Sequence, residues 1–413
     1  MNINKKLNIL FVSIAFPPKS DSEGLQVAKY FKYLARDKSL NIDVVTSSDK
    51  TLFMPVDENL KAYTKGYREI IKVNFFENKY VNFLMRKINP SSLNYPDSKF
   101  RFFKKYKSVI KQLHNKPNII YSRSFPISST IMAYKLQKEF QVPWVLHLSD
   151  PWTVSPIHHL GDAKAWNEEM EKRCFESATV LSFTSNKTIE LYAKKYPEYQ
   201  SKMQLFPNVF DLEDKIDMEY TFKDKIKVVY TGGLVEERSP QYLFDAITEL
   251  HNEHPKIIAD FEFIFAGALD RKNKALFEQK IPSVKHIGLL SFNEALKLQQ
   301  SADLLLVIDT PFKNAEDAIF FPSKLLDYML IQRRVVALTD RESTTWSIVE
   351  NKLGDCFVHS DVDSIMKFFI KSWEAWKNKD KGYFITNNPN IFYSAEHCAN
   401  NLSKIFQKVY HEN

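Results

Sequence analysis

Short apolar runs alternate with helical stretches along this chain, and the whole alternation occurs twice. The first half predicts strands at 7–13, 41–46, 118–121, 144–148 and 179–183, with helices that include 20–34, 129–139 and 186–195. The second half predicts strands at 226–230, 261–265, 284–287, 304–308 and 335–338, with helices at 241–251, 272–279, 292–300 and 323–331. Alternating strands and helices form parallel sheets covered on both faces. The sequence therefore predicts an α/β fold with two doubly wound, Rossmann-like domains.

The domain boundaries follow from the same pattern. A length of 413 residues fits two or three domains at roughly 150 residues each. The charged, weakly periodic segment 211–225 predicts a linker, and 394–409 predicts a last amphipathic helix. We therefore place an N-terminal domain at 1–212, a C-terminal domain at 213–390 and a terminal helical segment at 391–413.

Charge and cysteine content narrow the function classes. A formal net charge of +7 is small for a nucleic-acid binder of this size, and it suits anionic small substrates or an anionic membrane surface equally well. The three cysteines, Cys174, Cys356 and Cys398, are far apart and predict neither a disulfide framework nor a zinc site. The simplest interpretation is a reducing, cytoplasmic environment. The neighbouring His158 and His159 cannot share a helix face, so we interpret them as solvent-exposed rather than as a metal pair.

The apolar run at 7–16 resembles the core of a signal peptide, because Lys5 and Lys6 precede it. Pro17 and Pro18 follow directly, however, and no small-residue cleavage pattern is present. The run therefore favours a buried first strand. No uncharged apolar run approaches the roughly 18 residues of a membrane-spanning helix, so none is expected.

In open α/β sheets, ligands bind beyond the carboxyl ends of the strands, so the residues that follow strands are the candidate site residues. The polar segment 16–24 ends near a helix N-terminus, where free N–H groups favour anions, but it lacks the G-x-G-x-x-G dinucleotide pattern. An ordinary βα loop is the alternative. His147 and Asp150 lie at the end of the strand 144–148. Their alternatives are a hydrogen-bonded core histidine and a capping carboxylate.

In the second half, Gly232 and Gly233 follow the strand 226–230. Glycine lets the backbone approach a ligand closely, and Arg238 on the same loop has the geometry to bind a phosphate with two hydrogen bonds. A tight turn with a solvated arginine is the alternative.

The helix predicted at 323–331 carries the strongest local signal. Its apolar arc consists of Leu325, Leu326, Met329 and Leu330, while Lys324 and Asp327 fall on the opposite arc and are expected to face outwards. Helix N–H groups and a lysine suit phosphate, and a carboxylate suits ribose hydroxyls. An exposed ion pair is the alternative.

In this order, the motifs resemble those of GT-B glycosyltransferases, specifically the retaining glycosyltransferase family 4 of bacterial polysaccharide assembly. The resembling segments are 8–46, 119–152, 206–211, 231–239 and 322–328. The resemblance implies two Rossmann-like domains facing a central cleft, with the C-terminal helix returning to the first domain. It implies metal-independent, retaining, hexosyltransferase-like transfer from a nucleotide-diphosphate sugar, UDP-sugar by default. The acceptor would be a glycan, often lipid-linked, and the enzyme would lie in the cytoplasm at the inner face of the plasma membrane.

The resemblance also implies roles for individual residues. Five residues, Gly232, Gly233, Arg238, Ser323 and Lys324, would bind the donor diphosphate. Asp327 would bind the donor ribose, and Gly288 with Leu289 would hold the base. In the first domain, Ser22 and Gly24 would line the acceptor loop. His147 or Asp150 would orient the attacking hydroxyl.

Three positions depart from the family pattern. Ile319 stands where the first acid of the E-x7-E motif would fall, so Glu316 and Asp317 on the same loop become candidates for the donor sugar. Gly233 replaces an arginine, and Asp327 replaces a glutamate. These departures keep two alternatives open: a catalytically inactive GT-B partner subunit, and a sugar-nucleotide epimerase or hydrolase on the same fold.

The stretch 99–111 carries six basic residues interleaved with four aromatic residues and no acid. Such stretches can lie on anionic bilayers, so we expect peripheral membrane attachment here. The alternative is a solvated helix whose aromatic residues belong to the core. Nucleic acid is not expected as a partner, because no recognised binding module accompanies the stretch.

Overall fold

The computed structural model describes residues 6–155, 159–214, 219–235, 237–314, 319, 321–350, 352–386 and 390–412. The chain forms two compact units. The first comprises the residues up to Asp211 together with those from Ile391 onwards, and the second runs from Leu212 to Asn390. The predicted α/β fold class with two Rossmann-like units is confirmed.

The first unit is built on one parallel sheet of seven strands in the order β3-β2-β1-β4-β5-β6-β7. Its strands are β1 Leu7–Val12, β2 Leu40–Ser47, β3 Glu69–Val73, β4 Ile119–Ser124, β5 Trp144–Leu148, β6 Val180–Phe183 and β7 Met203–Leu205. Its α-helices up to the linker are α1 Ser22–Leu34, α2 Lys79–Ile88, α3 Tyr106–Gln112, α4 Ser128–Phe140, α5 Lys164–Ser177 and α6 Asn186–Lys195. The central strands are apolar on both faces, as burial beneath two helical layers requires.

The second unit has a parallel sheet of six strands in the order β10-β9-β8-β11-β12-β13. Its strands are β8 Ile226–Thr231, β9 Phe261–Ala266, β10 Val284–His286, β11 Leu304–Ile308, β12 Arg334–Leu338 and β13 Gly354–Phe357. Its α-helices are α7 Gln241–Glu253, α8 Pro255–Ile258, α9 Arg271–Phe277, α10 Phe292–Gln300, α11 Lys324–Ile331, α12 Thr344–Val349, α13 Val362–Lys377 and α14 Lys381–Phe384.

The last helix, α15 Ala395–Glu412, belongs to the first unit although the whole second unit precedes it in the chain. Phe406 packs edge-on against Tyr121 of β4, with ring centroids 5.6 Å apart. Ser403 donates a hydrogen bond to Asp37 beyond the end of α1. The core on this face of the sheet is therefore made partly from α15.

Strand order reverses between β1 and β4 in the first unit and between β8 and β11 in the second. Such switch points leave a crevice at the carboxyl ends of the two strands, which is where ligands of open α/β sheets bind. The fold thus directs attention to the residues that follow these four strands.

The start of α1 corrects one local prediction. Ser20 and Glu23 have the S-x-x-E spacing that predicts a capping box, but Asp21 caps the helix by accepting a hydrogen bond from Gly24 N at 2.9 Å. Glu23 is buried instead, and its carboxylate binds Arg123. A long-range ion pair has thus displaced the local cap.

Within the described ranges, no helix combines the length and the apolar character needed to cross a bilayer. Cys174 and Cys398 are buried, Cys356 is half-buried, and all three are free thiols. His158 lies outside the described residues, whereas His159 is exposed.

Candidate functional site

The switch point of the second unit brings the Gly232 turn and the start of α11 together. Gly232 has a φ of +129°, and a Cβ at this position would lie 3.0 Å from Lys324 Nζ. Gly267, after β9, packs so closely that a Cβ there would lie 2.0 Å from Gly232 O. Two glycines are therefore needed for the backbone to pass between the lysine and the neighbouring strand end.

Lys324 corrects the outward orientation that the helical wheel predicted. Its Nζ is buried against the ring of Tyr230, 3.8 Å from the centroid, and no described residue accepts a hydrogen bond from it. Burial lowers the pKa of Lys324 well below its usual value; the nearby Arg238 also lowers it, and Asp309 raises it. A buried ammonium without an acceptor is unfavourable, and an anionic ligand would relieve it.

Arg238 lies near this lysine and also has a buried nitrogen without a described hydrogen-bond partner. Its Nη1 donates a long hydrogen bond of 3.4 Å to Gly233 O, and its buried Nε has no hydrogen-bond partner among the residues described. Asn273 holds the loop in place, because its Nδ2 donates to both Leu234 O and Arg238 O at 3.0 Å. Asn273 thus fixes the loop, while Arg238 Nε is a hydrogen-bond donor for which no described residue is the acceptor.

Asp309 is a buried carboxylate that the sequence did not single out, although it directly follows the strand predicted at 304–308. Its Oδ2 accepts a hydrogen bond of 2.7 Å from Thr339 Oγ1 after β12, and its backbone oxygen lies 2.9 Å from His359 Nε2. The negative charge of Asp309 raises the pKa of Lys324 and so opposes the effect of burial. The strand-end rule would have found it had every residue after a strand been considered.

The remaining predicted residues of the second unit lie at α11, on the loop after β10, or outside the described residues. Asp327 is half-buried on α11, whereas Ser323 is exposed and does not cap the helix with its side chain. Gly288 O accepts a hydrogen bond of 2.8 Å from Gly267 N, and Leu289 beside it is 78% exposed. Glu316 and Asp317 lie outside the described residues. Ile319, at the position of the missing acid, is 3% exposed.

His147 is placed differently from the prediction. The residue lies within β5 and is completely buried, with Nδ1 3.0 Å from Ser182 Oγ. Burial, reinforced by Arg123, lowers the pKa of His147 well below its usual value, which keeps the ring neutral. The geometry corresponds to the alternative of a hydrogen-bonded core histidine, because a fully covered ring cannot meet a substrate hydroxyl.

Asp150 is exposed on the loop that follows β5, and a buried carboxylate fixes that loop. Glu171 accepts hydrogen bonds from Thr153 N at 3.0 Å, from Tyr192 OH at 2.8 Å and from Lys195 Nζ at 3.1 Å. Since the network ties the loop to two helices, Asp150 is presented on a rigid base.

Glu23 and Arg123 form a buried ion pair at the first switch point. The sequence pattern indicated neither of them as a site residue. Arg123 Nε donates to Glu23 Oε1 at 2.8 Å, and the guanidinium lies 4.6 Å from the centroid of the Tyr30 ring. Burial raises the pKa of Glu23 to about 7; Arg123 opposes this shift and Asp150 adds to it. The two residues are far apart in sequence, so local spacing carries no signal for the pair.

The two predicted acceptor-loop residues, Ser22 and Gly24, lie in the first turn of α1. Ser22 is exposed at the first position of α1. Gly24 is buried, and a Cβ there would lie 2.2 Å from Lys19 O. The need for glycine at this position therefore has a packing reason that is independent of any acceptor.

Of the four aromatic rings in the stretch 99–111, two are buried and two are half-buried. Phe102 and Phe103 are buried in the core, and Phe100 and Tyr106 pack against it. Lys99 is also buried, 2.5 Å from Glu77. The burial of Phe102 and Phe103 favours the alternative in which the aromatic residues belong to the core, and the membrane attachment expected for this stretch stays a prediction.

Comparison with known proteins identifies the fold. Sucrose-phosphate synthase from Thermosynechococcus elongatus aligns with a TM-score of 0.64 at 12% identity, over 99% of this chain and 100% of that one. The lipopolysaccharide outer core galactosyltransferase WaaB aligns at 0.58 and 13%, over 98% and 99%. UDP-GlcNAc 2-epimerase from Methanocaldococcus jannaschii aligns at 0.53 and 12%, over 98% and 99%.

No protein-family model matches the chain, and no curated protein matches it in sequence. At identities this low, the structural likeness establishes the fold alone. That fold is GT-B, with two Rossmann-like units.

Proposed function

We propose that this protein is a glycosyltransferase whose second unit binds a nucleotide-diphosphate sugar and whose first unit binds the acceptor. The observation that carries the proposal is the pair of buried cationic nitrogens, Lys324 Nζ and Arg238 Nε, without partners among the described residues. Both nitrogens lie near the end of β8 at the switch point of the second unit. Gly232 has no side chain to occupy the space next to Lys324. A diphosphate would supply the acceptors that both groups lack.

The same groups suit the chemistry of sugar transfer. Breaking the bond between the anomeric carbon and its oxygen leaves negative charge on the departing nucleoside diphosphate. Buried cations that are already in place stabilise this charge as it develops, without reorganising at the moment of reaction. We propose that Lys324 and Arg238 perform this role without a divalent metal.

The finer assignments rest on the resemblance of the motifs to retaining glycosyltransferases. Asp327 is the proposed ribose ligand, and the loop of Gly288 and Leu289 is the proposed base site. We take UDP as the default nucleotide, because it is the common donor nucleotide in the resembled family. Retention at the anomeric carbon, a lipid-linked glycan acceptor, a role in surface polysaccharide synthesis and a cytoplasmic location at the inner membrane face belong to the same proposal.

On the acceptor side, we assign the orientation of the attacking hydroxyl to Asp150 rather than to His147. Asp150 is exposed on a rigid loop, and its charge reaches the buried Glu23. His147 has no route to a substrate because its ring is fully covered.

An epimerase or hydrolase acting on a sugar nucleotide is the second candidate, since an epimerase shares this fold. Such an enzyme would convert its nucleotide sugar without an acceptor. A catalytically inactive partner subunit is the third candidate, because apolar Ile319 replaces the first motif acid. That subunit would bind another glycosyltransferase and turn over no donor.

A thermal-shift screen with UDP, GDP, ADP and dTDP at millimolar concentration tests the donor site. We expect one diphosphate to raise the melting temperature of the wild type, and Lys324→Met and Arg238→Met to abolish most of that increase. Lys272→Met on α9 is the matched control, because Lys272 is exposed on the same unit. No shift with any of the four would favour the inactive subunit. Conversion of the donor in the absence of acceptor would favour the epimerase or hydrolase.

A further inference from the structure

Helix α2 carries its large apolar side chains on the side that faces solvent. Tyr80 is 71% exposed, Phe83 69%, Leu84 55% and Ile88 78%. Their spacing places all four on one face of the helix. The opposite face carries Asn82, which is 5% exposed. A surface helix in a globular protein normally turns its apolar stripe to the core, so α2 is inverted.

Two further aromatic rings extend this face. Phe76 precedes α2 and is 58% exposed, and Phe53 is 78% exposed with a φ of +63°. Positive φ is uncommon for a bulky residue. Glu77 anchors the Phe53 loop, since its Oε2 accepts a hydrogen bond of 3.0 Å from Leu52 N. We call the six side chains Phe53, Phe76, Tyr80, Phe83, Leu84 and Ile88 the α2 face.

Positive charge surrounds the α2 face. The helix carries Lys79, Arg86 and Lys87, all exposed, and no acidic residue. Arg101 connects the parts, because its guanidinium lies 5.6 Å from the centroid of the Phe76 ring and Nη2 lies 3.8 Å from Met85 Sδ.

Lys104 adds to this charge, because it shares the Phe100 ring with Arg101, and the same stretch carries the exposed Lys105, Lys107 and Lys111. The closest acid on the preceding segment, Glu77, is already paired with Lys99. The basic character of this part of the first unit therefore comes from two segments, and only α2 adds exposed apolar side chains to it.

We propose that the α2 face inserts into the surface of an anionic lipid bilayer, with α2 lying in the plane of the headgroups. A short helix with large apolar residues on one side and basic residues beside them is the arrangement that binds such surfaces. Its 10 residues are too few to span the hydrocarbon core. The proposed membrane-contacting element is therefore α2, whose apolar side chains are exposed, whereas Phe102 and Phe103 of 99–111 are buried.

Charge distinguishes a bilayer from a second copy of this chain. Two copies meeting through the α2 face would bring Lys79, Arg86 and Lys87 of each against the same residues of the other. Like charges opposed in this way disfavour the dimer, whereas anionic headgroups favour contact with every one of them. The inference rests on the membrane location proposed above and names the surface that makes the contact, whereas its test does not depend on donor binding or turnover.

Flotation of the full-length protein with vesicles tests the inference. We expect the wild type to float with vesicles of phosphatidylcholine and phosphatidylglycerol and to remain at the bottom with phosphatidylcholine alone. The double variant Phe83→Ser, Leu84→Ser should lower the bound fraction about tenfold or more. Arg86→Glu, Lys87→Glu should act in the same direction and more strongly at low salt.

Controls keep the result interpretable. Ile391→Ser removes a side chain that is 64% exposed elsewhere on the first unit, and its flotation should equal that of the wild type. Unchanged melting temperatures would show that the α2 variants are folded. Wild type that stays at the bottom with anionic vesicles, or undiminished flotation of Phe83→Ser, Leu84→Ser, would overturn the proposal. So would a dimer in solution that this double variant dissociates, combined with absent flotation.

Discussion

The Nζ atom of Lys324, at the start of α11, lies 3.8 Å from the centroid of the Tyr230 ring on β8. The ring offers its electron-rich face to the amine, which no described acceptor satisfies. The ring and the charge of Asp309 both favour the protonated amine at the switch point of the second unit, against the effect of burial. The buried amine of Lys324 should therefore lower the stability of the ligand-free protein and, at the same time, contribute to nucleotide binding.

Replacing Lys324 with Met should therefore stabilise the ligand-free protein while removing nucleotide binding. Methionine keeps the length of the side chain but does not place an amine in a buried site, so we expect the melting temperature to rise by about 2–4 °C. Differential scanning calorimetry without ligand measures this change. A lower melting temperature would mean that the contact with Tyr230 outweighs the cost of burying the amine.

Alanine substitutions at Gly232 and Gly288 distinguish the cost of backbone strain from the cost of steric contact. Both Gly232 and Gly288 have positive φ, but a Cβ at 232 would meet Lys324, whereas a Cβ at 288 has nothing within 4 Å. We expect Gly232→Ala to lower the free energy of unfolding by about 1–3 kcal/mol, and Gly288→Ala to lower it by less. Urea denaturation compares the two. Equal losses would show that backbone conformation alone accounts for the effect at Gly232.

Glu23 should make folding take up a proton between about pH 4.5 and 7. Burial raises the pKa of this carboxyl to about 7 from 4.5, so the folded protein binds more protons than the unfolded chain in this window. The contribution of Glu23 to stability is then largest at the acid end and falls as pH rises. Free energies of unfolding measured across the window should diverge between wild type and Glu23→Gln. Parallel curves would contradict the raised pKa.

Lys19 should act in a separate, alkaline window. Burial lowers the pKa of this amine to about 8 from 10.5, so between these values the unfolded chain binds more protons than the folded protein. Stability contributed by Lys19 should therefore rise with pH from about 8 to 10.5. The difference in unfolding free energy between Lys19→Met and wild type measures this slope. A difference that does not vary with pH would show that Lys19 titrates normally in the folded protein.

Much of the fold could be predicted from the sequence, because the period of the apolar residues differs between strands and helices. The rule that ligands bind at strand ends led to Gly232, and the predicted helix start at 323 led to Lys324; the structure shows that the two are close. A helical wheel, however, describes a helix without its neighbours. It could not show that the Lys324 amine turns back onto Tyr230, a residue of another element.

Other features depend on contacts between distant parts of the chain. The ion pair of Glu23 and Arg123 joins residues 100 positions apart, so the local pattern around Glu23 predicted a cap instead. The burial of His147 depends on neighbours such as Ser182 on β6. The aromatic rings of 99–111 and of α2 have similar sequence patterns, and only tertiary packing decides which of them is covered.

The position of α15 sets the order in which the protein can mature on the ribosome. The first unit is translated first, yet Phe406 and other side chains of its core arrive only after the whole second unit has been synthesised. Until then the surface around Tyr121 is uncovered on the nascent chain. All core residues of the second unit are synthesised before α15, so the first unit, although translated first, is the last to receive its complete set of core side chains.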